Sequence, residues 1–126
     1  MATFTPSWTS SVALHASSSV ADSASNTEDI NLSSLGYYAV HVQVSLTSTG
    51  TPDGDCVIEV FGSADNGTSD DTEPLQSYAI SFSSATTKIF SFVVEGIPYA
   101  AVKLTNNSGE SATYVANYAG VKQTSA

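Results

Sequence analysis

The chain has one cysteine, no arginine and three lysines in 126 residues, and each scarcity closes off a class of protein. A lone Cys56 rules out an internal disulfide, so the fold is not built on oxidative cross-links. Its expected place is a small buried position on a strand. A nucleophilic thiol would need a lowered pKa and a neighbouring base, and neither histidine, His15 or His41, carries a recognisable flanking motif. Lacking arginine, the chain has no planar fork for phosphate. Twelve Asp and Glu against Lys88, Lys103 and Lys122 give a formal charge of −9, which repels polyanions. That argues against DNA or RNA as a partner, and against an anionic membrane surface. Uninterrupted apolar runs are short, as in Phe92-Val93-Val94, whereas a membrane span takes about 20 residues. No window shows apolar residues at helical spacing with caps, which predicts little or no helix. Charged residues are only 12% of the chain, so neutral Ser, Thr, Asn and Gln must supply most of the wetted surface.

What the chain does have is apolar content, 41%, arranged with a period of two. Val40, Val42, Val44 and Leu46 fall on one side of an extended chain, with His41, Gln43 and Ser45 on the other. Similar segments recur at 12–16, 56–62, 75–82, 99–104 and 113–121, and 89–94 is an apolar run. Between them lie turn clusters such as Gly50-Thr51-Pro52-Asp53-Gly54 and Asn106-Asn107-Ser108-Gly109. Eight or so strands at this spacing predict an all-β antiparallel sandwich or jelly roll. Residues 1–11, with Phe4 and Trp8, read as an N-terminal arm or edge strand, and 12–126 as one β-sandwich domain. Ser17 to Asn26 reads as a connection, and Ile30 and Leu32 as strand residues. Across Pro52-Asp53-Gly54, segment 37–47 is expected to pair with 56–62. Residues 1–4 have neither a basic group nor a long apolar stretch, which predicts no secretion signal and maturation in a bacterial-type cytoplasm.

Motifs for chemistry are thin. The acidic loop 62–74 holds Asp65, Asp70, Asp71 and Glu73, but their spacing does not match a helix–loop–helix calcium site, and Asp-rich turns arise for backbone reasons. Asp53, Asp55, Glu59 and Asp70 offer carboxylates for glycoside hydrolysis without an aromatic platform beside them. No Gly-x-Ser-x-Gly occurs. Asn31, Asn66 and Asn106 match the glycosylation triplet, as a Ser/Thr-rich chain does by chance. The reading is a non-enzymatic protein with no cofactor and no metal. Tyr114 and Tyr118 share one face of the last strand, a pattern that serves core or subunit-interface packing, and together with Phe4 and Trp8 they are the candidate contact residues for a partner. Sugar stacking by the exposed aromatics is the competing use.

The segments Leu35-Gly36-Tyr37-Tyr38-Ala39-Val40-His41-Val42-Gln43-Val44 and Ile58-Glu59-Val60-Phe61-Gly62-Ser63-Ala64-Asp65-Asn66-Gly67 resemble a type of small β-rich virion protein from tailed bacteriophages. In that type a Gly-Ser-x-Asp-Gly-like turn closes a strand; here Asn66 stands before Gly67. The similarity runs over about residues 28–121, and its motifs are structural. It implies a capsid decoration (cement) protein that bridges subunits of a major capsid protein on the virion surface, commonly as a homotrimer. A carbohydrate- or receptor-binding module of a tail or fibre is the alternative, followed by a neck or tail-completion protein, with a hydrolase last.

Overall fold

The computed structural model describes residues 4–64 and 71–125, with side chains from 7 to 64 and from 71 to 122. Among the described residues the chain order is β1 (Phe4–Trp8), β2 (Val12–Val20), β3 (Ser25–Ile30), a one-turn helix α1 (Leu32–Leu35) and β4 (Ala39–Ser48). Then come β5 (Asp55–Ser63), β6 (Gln76–Ser81), β7 (Thr87–Glu95), β8 (Tyr99–Asn107) and β9 (Ala112–Ser125). The pairings nest. β2 pairs with β9, β3 with β8, β4 with β7 and β5 with β6, all antiparallel. The chain is therefore one long hairpin, rolled so that β4 also meets β9 and β5 meets β8. The two sheets, β2-β9-β4-β7 and β3-β8-β5-β6, have the strand order of a jelly roll. β1 prolongs β2 along the same edge of β9, with Trp8 opposite Val121 and Val12 opposite Tyr118. The first residues described thus form an edge strand.

The expected pairing of 37–47 with 56–62 is not made. Residues 49–54 carry the chain from one sheet to the other. Asp53 N–H donates to the Ser108 carbonyl and Phe82 N–H to the Gly54 carbonyl, so this crossing is anchored to other turns. Val40, Val42, Val44 and Leu46 of β4 then face Cys56, Ile58 and Val60 of β5 across the core, all of them fully buried. Alternation in both segments was read correctly, but it marks inward faces and cannot say which sheet a strand joins. From the remaining strands, Phe92, Val94, Ala100, Val102, Leu104, Tyr114 and Ala116 complete the same core. Truncating a fully buried leucine such as Leu46 to alanine would cost about 2–5 kcal/mol.

Two local departures from the alternation have simple causes. After Ile30 the Asn31 side chain accepts from Ser34 N–H at 2.9 Å and caps α1, and Gly36 ends it in the left-handed region at φ 74°. Leu32 therefore enters the core from a helical turn, not a strand. Ser17 to Ser19, expected to be a connection, lie within β2, whose ladder to β9 tolerates exposed serines on an edge with two register shifts. Gly120 is required by contact: a Cβ there would lie 2.3 Å from the Tyr37 ring, which packs flat on the β9 backbone. No helix among the described residues is long and apolar enough to cross a membrane.

Side chains close the sandwich along both open edges. At the β2/β3 edge His15 Nδ1 lies 3.0 Å from Glu28 Oε1, while the imidazole stacks on Tyr114 at 4.4 Å. At the β6/β7 edge Gln76 Nε2 donates to the Val93 carbonyl at 3.0 Å and Lys88 Nζ donates to the Ser81 carbonyl.

Candidate functional site

Three surface features stand out, one on each side of the roll and one at its edge. The first is on the outer face of the β1/β2-β9-β4-β7 sheet. Register places His41 opposite Ala119 and Gln43 opposite Asn117 on adjacent strands. Because Ala119 is small, its row sinks between larger neighbours. The chain also bulges between β1 and β2, where Thr9 N–H donates to the Gly120 carbonyl and Gly120 N–H donates to Thr9 Oγ1. A depression of about 270 Å³ results, lined by Ser11, His41, Gln43, Asn117, Tyr118 and Ala119. Trp8, 57% exposed, lies outside this lining and next to it, with the His41 ring edge-on at 6.3 Å and 87°. In the same row as Trp8, both Val121 and Ala39 are buried, so the indole sits over a dry floor.

A second feature follows β7, the edge strand of that sheet. Phe90, Phe92 and Val94 turn inward, and Ile89 and Val93, on the opposite parity, are left 63% and 44% exposed. Round the edge, Leu75 is also exposed and borders a hollow with Gly62, Ile97 and Pro98. Sequence reading noted the apolar run 89–94 and drew nothing from it. The signal was available: a run apolar at odd and even positions covers both faces of a strand, and an edge strand has only one face to bury.

The third is a groove of about 380 Å³ on the outer face of the other sheet, lined by Thr27, Asp29, Phe61, Asp71, Tyr99, Ala101 and Lys103. Its polar groups serve each other and the backbone. Tyr99 Oη donates to Asp29 Oδ2 at 2.7 Å, which pushes the Tyr99 phenol pKa up, and Asp71 Oδ2 accepts from Gly62 N–H at 3.1 Å. Glu59 lies directly opposite Lys103 in the ladder, on the outward face. No group of three or more His, Cys, Asp and Glu able to hold a metal occurs among the described residues. Of the acidic loop, Asp65 and Asp70 lie outside them.

The four expected contact residues separate. Trp8 is exposed and Tyr118 half-buried, both at the first depression. Phe4 is placed by its backbone in β1, and its side chain lies outside the described residues. Tyr114 is corrected: at 0% exposure it belongs to the core and offers nothing to a partner. Its position halfway along β9, between β2 and β4 and under the His15 ring, is the reason. Burial pushes its phenol pKa far up. Cys56 is buried as expected, with its thiol held up by desolvation, and its Sγ donates to Asn106 Oδ1 at 3.4 Å.

Asn106 has a structural role that its turn cluster and glycosylation triplet do not signal. It is fully buried, and its amide Nδ2 donates to the carbonyls of Val20 at 2.9 Å and Glu110 at 2.8 Å. Its Oδ1 accepts from Ser108 N–H at 3.0 Å and Ser108 Oγ at 2.7 Å. This side chain ties the ends of β2 and β8 to the turn before β9, and it is inaccessible to glycosylation.

No family model matches the chain, and no curated protein matches it. Among solved structures, one described under "Bacillus endospore appendages form a novel family of disulfide-linked pili" is 15% identical with a TM-score of 0.44. The match covers 97% of this chain and 91% of that one. Neither figure bears on function.

Proposed function

We propose that this chain is a non-enzymatic structural subunit that docks on neighbouring protein subunits through β7. The observation that carries the reading is the pair Ile89 and Val93, large aliphatic side chains held in water on the outer face of an edge strand. Leu75 extends the apolar surface round the same edge, where Gln76, its chain neighbour, bonds the Val93 carbonyl. No charged side chain lies between Ile89 and Val93 on that face; the residue there is Ser91, facing Gln43. The fitting partner surface is apolar and weakly charged. The setting, a virion shell in which the chain decorates a major capsid protein as a homotrimer, is supported by the sequence resemblance alone. Jelly rolls serve viral shells and lectins alike, so the fold is compatible with this and does not select it.

The test compares wild type with I89K/V93K. Both positions are exposed, so the variant is expected to fold with an unchanged β-type circular dichroism spectrum. Native mass spectrometry should show an oligomer for wild type and monomer for the variant, and the variant should no longer sediment with assembled capsid shells. Wild-type behaviour of the variant in both assays would refute docking through β7.

A further inference from the structure

We propose that the depression beside Trp8 is a binding subsite for one neutral hexopyranose unit of a glycan. The inference is independent of docking through β7 and uses different residues. Its first support is the pairing of Gln43 with Asn117 on adjacent strands, which sets two carboxamides side by side above the Ala119 floor. Each carboxamide offers two N–H donors and a carbonyl acceptor. Two such groups match neighbouring hydroxyls on a sugar ring, which also donate and accept. Ser11 adds a hydroxyl to the same wall.

The second support is the platform. A pyranose has a polar rim and an apolar C–H face, and it takes an aromatic ring on that face. Trp8 presents its indole beside the depression with 57% exposure, edge-on to the His41 ring that lines it. An exposed tryptophan is a costly residue to leave in water, and tryptophan's use at recognition surfaces is to combine apolar area with a polar handle.

The third support is charge. In a chain with twelve Asp and Glu, no residue lining this depression is a carboxylate or an amine. The acidic balance of the whole molecule disfavours uronic and sialic acids, and apart from the His41 imidazole the lining offers no group to pair with an ionic ligand. At about 270 Å³ the space lies just under the common range for small-molecule sites, which suits one ring of a longer chain that continues into solvent. The groove on the other sheet differs on this point, because its carboxylates and Lys103 suit charged groups.

Trp8 is the only tryptophan in the chain, so its fluorescence reports this site alone. The experiment screens the full chain against neutral oligosaccharides of glucose, galactose, mannose and N-acetylglucosamine, and titrates the best binder at millimolar concentrations while following tryptophan emission. Wild type should bind with a shift in emission. By calorimetry, Trp8→Ala and Asn117→Ala should each weaken binding at least tenfold, Gln43→Ala several-fold, and Trp8→Phe should restore part of the loss. I89K/V93K should bind as wild type does, so failure of docking and failure of this subsite give different results. Gln43 is exposed, which makes its variant a safe reporter should Trp8→Ala fold poorly. No neutral glycan bound, binding restricted to charged glycans, or unchanged affinity in Gln43→Ala and Asn117→Ala would overturn the proposal.

Discussion

Replacing Asn106 by alanine should remove a large part of the stability of this fold, although the side chain touches no surface and no apolar cluster depends on its bulk. Truncation leaves the Ser108 N–H without the Oδ1 acceptor it has at 3.0 Å. An orphaned buried donor costs about 1–3 kcal/mol. The Val20 and Glu110 carbonyls each lose a donor, at about 0.5–1.5 kcal/mol apiece. Ser108 Oγ recovers some of its loss, because the Glu110 carbonyl lies 3.1 Å away. The sum is about 2–6 kcal/mol, against the 5–15 kcal/mol typical of a whole domain. Urea unfolding followed by circular dichroism would show it as a lower midpoint with an unchanged slope. Asn106→Asp sharpens the test. Its carboxylate keeps the acceptor for Ser108 but turns an acceptor toward the two carbonyls, and it buries a charge. It should be at least as damaging at pH 7, and less so in acid, where a protonated carboxyl can donate again. A loss below about 1 kcal/mol in Asn106→Ala would refute the claim that this amide joins three chain segments.

Two further outcomes follow from burial. The Tyr114 phenol ionises less readily folded than unfolded, because desolvation pushes its pKa up. Its contribution is therefore intact below the ordinary tyrosine value of about 10 and is lost as pH rises above it, at about 1.4 kcal/mol per unit. Tyr114→Phe should flatten that alkaline limb in thermal melts, and an unchanged limb would show the group to be irrelevant to it. The Cys56 thiol, raised by burial, should react with an aromatic disulfide reagent only at the rate of unfolding. Fast labelling of the native chain would contradict its placement in the core.

Much of the architecture was legible because a strand with one wet face must alternate. The inward faces of β4 and β9 could be read from Val40 to Leu46 and from Tyr114 to Tyr118, and the strand count came close. Partnership was not legible: β4 and β5 are neighbours in sequence and both face inward, yet they belong to opposite layers, because the long hairpin is rolled. Depth along a strand was lost too. Tyr114 and Tyr118 look alike in sequence and both lie between β2 and β4, but only Tyr114 has the His15 ring stacked over it. The Trp8 depression depends on which residue lies beside which across three strands. Gln43 and Asn117 are 74 positions apart and meet only through register.

The last strand borders β1 and β2 on one side and β4 on the other. Until β9 docks, β1, β2 and one side of β4 therefore keep unpaired backbone. Such topologies close slowly, in milliseconds to seconds. Folding chains of this protein thus have template edges on offer to one another, and the charge of −9 that each carries is the general repulsion that keeps them apart. The exposed serines of β2, which do nothing for the finished core, are well placed to blunt that hazard.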